Sequence, residues 1–265
     1  MKRLAYIILA CALAAPASRA AQNDDAWFAQ APAASGWTTI TGLVAHWKMN
    51  DNAATKTVAD SYGGNTGTSV RNTSDMTTNG LINSALSFNG TNDYVDSSIP
   101  WTLTKTSTIT YCAWVMPLTS AAKNKRFVDT VSSYGQFGVG LECGWGSSPS
   151  NALGIYAGKA GIGSVDIWHS SAATIYHWYH VCGTFDGATQ TLFIDGQYST
   201  QKLYAAYVAS TTPNTNGISI GAEKYGGNLY YLFNAVIDDV RIYNRVLSTN
   251  ELSQIYNGGA GTEQE

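Results

Sequence analysis

Short apolar-rich runs separated by polar residues follow one another along the chain after residue 42. Residues 107–117 begin with polar and apolar residues in alternation, and further runs of this kind are 137–141, 180–185 and 191–194. Turn-forming residues separate these runs, and the pairs Asn89-Gly90 and Asp186-Gly187 favour tight hairpins. Many short strands at regular spacing predict an all-β sandwich or barrel.

One segment near the C-terminal end follows a different period. Ser248 and Glu251 form a capping-box sequence ahead of Leu252, Ile255 and Tyr256, whose spacing places them on one side of a helix. We therefore expect a short helix that packs this side on the sandwich. The residues after it, 258–265, are polar and predict a frayed tail.

Residues 1–20 have the pattern of an export signal. Lys2 and Arg3 precede a short apolar run, and Ser18-Arg19-Ala20 matches a small-x-small cleavage site. The run is too short to span a bilayer comfortably. We predict a secreted or cell-surface protein that is cleaved after Ala20. The alternative is a lipoprotein that is modified at Cys11.

The remaining chain divides into three parts. Residues 21–41 form a lead-in that is first polar and then rich in Ala and Pro, and it contains Trp27, Phe28 and Trp37. This lead-in is either a flexible linker or an aromatic segment that docks on a partner. Residues 42–257 suffice for one large sandwich, so the length does not require a second domain. Residues 258–265 are the tail.

Net charge excludes one class of partner. Without Lys2, Arg3 and Arg19, the basic count falls from 15 to 12 against 18 acidic residues, which gives a net charge of −6. Nucleic-acid binding needs clustered Lys and Arg. We therefore expect no nucleic-acid partner and no membrane span. The low charged fraction of 12% and the abundance of Gly and Tyr are typical of a secreted β-rich protein.

Three segments, taken in order, resemble the laminin-G-like (concanavalin A-like) family of lectin and glucanase domains. They are residues 85–95 (ALSFNGTNDYV), 178–187 (WYHVCGTFDG) and 233–248 (FNAVIDDVRIYNRVLS). The resemblance covers residues 42–257 and implies a two-sheet antiparallel jelly-roll sandwich. Lectins, adhesion modules, hydrolases and lyases share this fold, so the resemblance alone leaves the function open.

The catalytic pattern of the related glucanases is missing from the sequence. Those enzymes carry two Glu and one Asp on one strand, because alternate residues face one cleft and a retaining mechanism needs two carboxyls ~5 Å apart. This chain has Glu142, Glu223, Glu251, Glu263 and Glu265, and none lies at that spacing from another acid within a strand. We predict a non-enzymatic protein, and we interpret Glu142 as a solvent-facing or rim carboxylate.

The resemblance also implies a structural Ca²⁺ at the edge of the sandwich. The family takes ligands from an early acidic loop, which Asp60 and Asn65 match, and from the last strand, where Asp238 matches. Asp93 lies in a turn that could be nearby. Carboxylate and amide oxygens suit a hard cation. The alternative is that these residues form turns and cap their own backbone.

Aromatic side chains outside the strand interiors are the candidate ligand-binding groups. They are Trp101, Trp145, Trp168, Tyr225, Tyr230 and Tyr231. An exposed ring can stack on the apolar face of a sugar. Trp145 lies between two glycines, and Tyr225, Asn228 and Tyr230 form a polar and aromatic loop. We predict a binding or adhesion module for a carbohydrate or cell-surface glycan, although packing at the rim is the alternative for each ring.

Two other functions stay open. The chain could be a structural subunit of an extracellular appendage or matrix, in which case the lead-in would pack on a neighbouring copy. A glycan hydrolase or lyase of the same fold is the weaker alternative, because the paired carboxylates are missing.

Three cysteines remain after the predicted cleavage. An odd number in an exported protein suggests one bridge and one leftover thiol. The resemblance extends to the pentraxin branch of the fold, which implies a bridge between Cys112 and Cys182, and strand parity allows both sulfurs on one face. Cys143 is then the free thiol. Three reduced, buried cysteines are the alternative.

Overall fold

The computed structural model describes residues 37–97, 99, 107–120, 124–130, 137–144, 148–159, 163–203, 217–225 and 227–265. The predicted export signal, most of the lead-in, Trp101 and Trp145 lie outside these ranges. Only the backbone of Tyr225 is described.

The described residues form a succession of strands followed by one helix. The strands are β1 (Leu43–Trp47), β2 (Thr57–Val58), β3 (Gly67–Ser69), β4 (Thr77–Asn79), β5 (Ser84–Asn89), β6 (Val95–Ser97), β7 (Ile109–Pro117), β8 (Lys125–Asp129), β9 (Phe137–Cys143), β10 (Ala152–Lys159), β11 (Gly163–Ala172), β12 (Tyr179–Phe185), β13 (Thr189–Ile194), β14 (Gln197–Leu203), β15 (Ile218–Ile220), β16 (Glu223–Tyr225), β17 (Asn228–Tyr230) and β18 (Asn234–Tyr243). Helix α1 spans Thr249–Tyr256, and short 3-10 turns lie at Thr73–Asp75 and Asn257–Gly259.

The strands build two antiparallel sheets. Sheet I has the order β14-β13-β12-β7-β18-β5-β4, with β1 also paired to β18, and sheet II has the order β11-β10-β9-β8-β15-β6-β3-β2. Strands β16 and β17 form a separate hairpin. This arrangement confirms the predicted two-sheet jelly-roll sandwich.

Alternation along each strand decides which side chains fill the sandwich. In β9, Val139, Leu141 and Cys143 belong to the central apolar core. Successive side chains of a strand point to opposite faces, so Gly140 and Glu142 point to the outward side of sheet II. The same rule applies to β10, where Ile155 faces the core.

Helix α1 covers part of the outward side of sheet I. Its Leu252 and Ile255 pack in a second apolar cluster with Cys112, Cys182 and Tyr243. Ser248 and Glu251 form the predicted capping box at its start. The burial of this helix face confirms the prediction made from its spacing.

The disulfide lies beneath this helix. Cys112 and Cys182 are direct partners on β7 and β12, with their Cα atoms 4.2 Å apart, and they form the predicted bridge. Among the cysteines that the structure describes, Cys143 is free and buried. Burial raises the pKa of the Cys143 thiol to about 12.

The tail after α1 is docked on the domain, so the prediction of a frayed end is wrong. Arg241 of β18 donates from Nη1 to the carbonyl of Gln264 over 2.8 Å and from Nη2 to the carbonyl of Thr262. A ring nitrogen of His46 lies 3.1 Å from Oε1 of Glu265. A buried guanidinium needs acceptors for its five N–H groups, and the tail supplies two of them.

Candidate functional site

An ionic cluster lies on the outward side of sheet II around Arg126 of β8. Arg126 donates from Nη1 to Glu142 of β9, and its Nε lies 3.6 Å from Glu223 of β16 and 4.0 Å from Asp129. Arg126, Asp129 and Glu142 are all buried. One cation therefore faces three carboxylates, which arrive from three different strands.

Strand register places these groups in rows across the sheet. The first row runs from Arg126 through Glu142 and Gly154 to Trp168. The second row runs from Asp129 through Gly140 and Tyr156 to Asp166 and also crosses β8, β9, β10 and β11. The outward side of these four strands thus combines ionic, aromatic and glycine positions.

An irregularity in β8 brings both of its charged residues to the same side. The pairing of β8 with β9 shifts between Arg126 and Val128. Phe127 and Val128 both belong to the core. A bulge of this kind lets two successive residues face inward, so Arg126 and Asp129 both reach the outward side.

Glycines make room for the two rings in these rows. A Cβ atom at Gly154 would collide with the Trp168 ring, and one at Gly140 would collide with the Tyr156 ring. The guanidinium carbon of Arg126 lies 4.3 Å from the centre of the Tyr156 ring, which is a cation–π distance. The rings are therefore held close against the sheet.

Hydrogen bonds fix the orientation of both rings. Trp168 donates from Nε1 to Glu142 over 3.0 Å, and the Tyr156 hydroxyl donates to Asp129. Burial raises the pKa of Tyr156 well above its usual value, and the charge of Asp129 raises it further. Tyr156 therefore stays a neutral donor, and Asp129 and Glu142 act as acceptors.

The β16–β17 hairpin borders this cluster and contains three residues predicted from the sequence. Glu223 pairs with Tyr230, and Tyr225 pairs with Asn228. The side chain of Asn228 is exposed, and Tyr230 is 41% exposed. The hairpin thus presents Asn228 and Tyr230 to solvent, as a ligand-binding role would need.

Tyr231 joins the hairpin to the cluster. Its carbonyl accepts a 2.9 Å hydrogen bond from the backbone N–H of Arg126, and its ring centre lies 5.6 Å from the Arg126 guanidinium carbon. Its ring also lies 6.1 Å from that of Tyr230. Burial raises the pKa of Glu223, which the positive charge of Arg126 opposes.

The prediction that Glu142 is a solvent-facing or rim carboxylate is wrong. Glu142 is 0% exposed and accepts hydrogen bonds from Arg126 and Trp168. Strands β8 and β10 flank it on both sides, so charged and ring N–H donors replace water around its carboxylate.

The residues predicted as calcium ligands each have their own hydrogen-bond partners. Asp60 accepts from the backbone N–H of His46 over 2.8 Å and of Tyr62 over 3.0 Å, and from both the backbone and the side chain of Asn65. Asp93 accepts two hydrogen bonds from the Arg71 guanidinium. These N–H donors occupy the oxygens that a cation would need.

Asp238 differs from the other two acids. Its Oδ2 accepts from the backbone N–H of Leu81 and of Ile82, both over 3.0 Å, whereas its buried Oδ1 has no hydrogen-bond partner. Burial raises the pKa of Asp238 to about 8, and the neighbouring charge of Asp239 adds to this rise.

The carboxylates predicted as calcium ligands do not form a cluster of three in the described ranges. Within the described ranges, the only group of three or more His, Cys, Asp or Glu ligand atoms within 4.8 Å consists of Cys112, His180 and Cys182. Two of these form the disulfide. Asp60, Asp93 and Asp238 therefore do not form such a group, and a Ca²⁺ site with Asn65 as a further ligand stays a prediction from the resemblance.

Sequence reasoning missed Arg126, Asp129 and Tyr156 as members of a cluster. It named Trp168 and Tyr231 among the candidate rings, but it did not place them together. The sequence did contain one signal for this cluster. The outward positions of β9 and β10 are Gly140, Glu142 and their partners Tyr156 and Gly154, and none of them is an aliphatic residue.

Comparison with known proteins identifies the family of this fold. Among the described residues, no helix has the length and hydropathy that crossing a bilayer requires. No curated protein sequence matches the chain. Many solved structures do match it.

Three of these structures illustrate the range. The binding domain of Paraclostridial mosquitocidal protein 1 matches with a TM-score of 0.61 and 14% identity, over 82% of this chain and 52% of that one. Domain 4 of AbnA, an extracellular arabinanase from Geobacillus stearothermophilus solved with arabinotriose, matches with a TM-score of 0.59 and 17% identity. This match covers 80% of this chain and 96% of that domain. A Trypanosoma rangeli sialidase solved with sialic acid matches with a TM-score of 0.57 and 16% identity, over 85% of this chain and 34% of the sialidase.

At these identities the likeness concerns the fold alone. The chain spans about half of the mosquitocidal binding domain and about a third of the sialidase, but nearly all of the arabinanase domain. A family model described as the concanavalin A-like lectin/glucanases superfamily matches residues 89–253, which is more than half of the chain. The chain therefore belongs to the concanavalin A-like lectin/glucanase superfamily.

Proposed function

We propose that this chain is an exported, non-catalytic carbohydrate-binding module whose ligand lies on the outward side of sheet II, next to the β16–β17 hairpin. The observation that carries this proposal is the half-buried Trp168 ring, which lies over Gly154 and is fixed by its hydrogen bond to Glu142. A fixed ring with an accessible part can stack on a sugar with little loss of side-chain freedom.

The neighbouring groups suit the polar side of a sugar. Glu223, Asn228 and Tyr230 lie on the hairpin beside Arg126 and offer carboxylate, amide and hydroxyl groups for hydrogen bonds to sugar hydroxyls. A few polar groups beside aromatic rings are the usual composition of a small-molecule site. The arabinanase domain that was solved with arabinotriose supports a role of this kind for the same fold.

The state of the acids supports binding rather than hydrolysis. A retaining glycosidase needs two carboxyls ~5 Å apart on either side of the scissile bond. Both oxygens of Glu142 are already hydrogen-bonded, and Asp129 accepts from Tyr156. Only Glu223 of the three acids around Arg126 has a partly exposed side chain.

Export rests on the pattern of residues 1–20. Mass spectrometry of the secreted protein should give Ala21 as its first residue, whereas a lipidated Cys11 would favour the lipoprotein alternative.

The alternative function as a structural subunit finds less support, because Trp37 and Thr38 of the lead-in contact the chain's own α1 region. Size measurement of native material distinguishes a subunit from a binding module.

The test of the proposal is a glycan array followed by calorimetric titration of the best ligand. Trp168→Ala should weaken binding at least about tenfold, which is about 1.4 kcal/mol, because it removes the stacking ring. Tyr62→Ala is the matched control, since Tyr62 is 55% exposed but lies in the loop beside Asp60. Equal effects of both substitutions, or no glycan ligand at all, would contradict the proposal.

A further inference from the structure

We infer that Glu223 makes this face selective for uncharged glycans and against sugars that carry a carboxylate. This inference rests on the carbohydrate-binding function proposed above and specifies the class of glycan. It follows from the distribution of charge, from the position of Glu223 and from the partners of the neighbouring cations.

The charge around Arg126 is negative in sum. The guanidinium is surrounded by Asp129, Glu142 and Glu223, and its Nη1 is bonded to Glu142. Recognition of a sugar carboxylate commonly uses a guanidinium that presents two parallel N–H groups to it. Here the protein's own carboxylates surround that guanidinium, so an acidic sugar would meet like charges first.

Glu223 is the acid that an incoming ligand would meet. Its side chain is 16% exposed, whereas those of Asp129 and Glu142 are fully buried. It pairs across the hairpin with Tyr230, and directly opposite residues of an antiparallel pair share one face. A sugar stacked on the exposed Tyr230 ring would therefore lie beside the Glu223 carboxylate.

The lysine that follows Glu223 in β16 already has its own partner. Lys224 is ion-paired with Asp96, and its Nζ lies 5.9 Å from the centre of the Tyr94 ring. Accepting an acidic sugar would require Lys224 to exchange Asp96 for the ligand, which brings little net gain in Coulomb energy at the surface.

Uncharged sugars interact with the same carboxylate favourably. Two vicinal hydroxyls can donate to the two oxygens of one carboxylate, and hydrogen bonds to an ionised acceptor are stronger than neutral ones. Placing a second carboxylate there instead incurs like-charge repulsion, which is the usual physical means of rejecting a wrong partner. The same residue thus attracts one class of glycan and repels the other.

The experiment compares two sets of oligosaccharides by calorimetric titration. The uncharged set is arabinotriose, cellotriose and maltotriose, and the acidic set is sialyllactose and trigalacturonate. The wild-type protein should bind at least one uncharged ligand at least about tenfold more tightly than either acidic one, which is about 1.4 kcal/mol. Glu223→Gln should reduce this ratio about tenfold, and raising the salt concentration should reduce it in the wild type.

Two variants serve as controls. Glu223→Asp keeps the charge and should keep the preference for uncharged ligands. Glu263→Gln removes a carboxylate that lies in the tail, where it contacts Asn50 and Asn83, and should leave the ratio unchanged. Thermal melts of each variant identify any loss of folding, and the wild-type ratio alone tests the inference if Glu223→Gln does not fold.

The outcomes separate this inference from the function it rests on. A wild-type preference for the acidic set, or an unchanged ratio in a folded Glu223→Gln protein, overturns the inference and leaves carbohydrate binding standing. Failure to bind any glycan on a broad array removes the proposed function, and the inference with it.

Discussion

The two outward sides of this sandwich each bury an arginine that is bonded to a carboxylate, yet they differ in what surrounds it. On sheet I, Arg241 is bonded to Asp239, and the tail and α1 close over that side. On sheet II, Arg126 is bordered by the half-buried Trp168 and the exposed Tyr230. Similar ionic chemistry therefore stabilises a closed layer on one side and supports a candidate binding surface on the other.

The difference shows that a buried ion pair is not itself a sign of function. The carboxylate of Asp239 is 0% exposed and accepts from both His46 and Arg241. Burial alone would raise its pKa, but the positive charge of Arg241 and the hydrogen bond from His46 hold the pKa at about 2. No aromatic hairpin borders this group among the described residues, and backbone carbonyls of the tail complete it.

The largest effect on stability should come from replacing Arg241, the arginine that the tail and α1 cover. Arg241→Met leaves Asp239 buried without its cation and releases the tail, so the free energy of unfolding should fall by about 5 kcal/mol. Urea denaturation measures this change. Arg245→Met is the control, because Arg245 and Glu251 form a partly exposed pair whose loss should cost about 1 kcal/mol or less. Equal losses would mean that Arg241 does not anchor the closed layer.

A second prediction concerns Asp238 of β18 in sheet I and the dependence of the free energy of unfolding on pH. The pKa of Asp238 in the folded protein, about 8, lies above its value in the unfolded chain, so the folded state retains a proton that the unfolded state has lost. Its contribution to stability is therefore present at low pH and lost as pH rises towards 8. Stability should fall by about 2 kcal/mol between pH 6 and pH 8.

Asp238→Asn should flatten this part of the pH profile. The asparagine carbonyl can still accept from Leu81 and Ile82, and the side chain no longer ionises. Glu251→Gln should leave the slope between pH 6 and pH 8 nearly as it is in the wild type, because the hydrogen bond from Arg245 lowers the pKa of Glu251 to about 2. A wild-type slope that survives in Asp238→Asn would assign the titration to another group.

The smallest effect is expected from calcium removal. Asp60 and Asp93 are already surrounded by N–H donors, so a chelator should change the melting temperature by about 1 °C or less, which for a domain of this size is well below about 1 kcal/mol. Differential scanning calorimetry with and without EDTA measures it. A fall of several degrees that Asp238→Ala abolishes would instead support the calcium site implied by the resemblance.

The strands and the disulfide could be predicted because their signals are local or shared with relatives. Alternation and hairpin turns such as Asp186-Gly187 are readable in a few residues, and the bridge followed from the resemblance. The Arg126 cluster could not be predicted, since Glu142 and Glu223 reach it from two other strands, β9 and β16, and a bulge in β8 sets the side that Arg126 faces.

The docked tail was unpredictable for another physical reason. Its acceptors for Arg241 are the backbone carbonyls of Thr262 and Gln264, and a carbonyl group is the same for every residue type. Side-chain composition at these positions therefore carries no signal for the contact. Only the buried guanidinium of Arg241, which needs acceptors, indicates that some segment must cover it.

Cys143 allows the rate at which the two sheets separate to be measured by thiol labelling. The thiol faces the core from β9, and its pKa of about 12 leaves almost no thiolate at neutral pH while the sandwich is closed. An alkylating reagent at high concentration would therefore modify Cys143 only as often as the two sheets separate. With Cys112 and Cys182 joined in the disulfide, each domain labelled at Cys143 records one opening event, and the labelling rate reports how long the native sandwich persists.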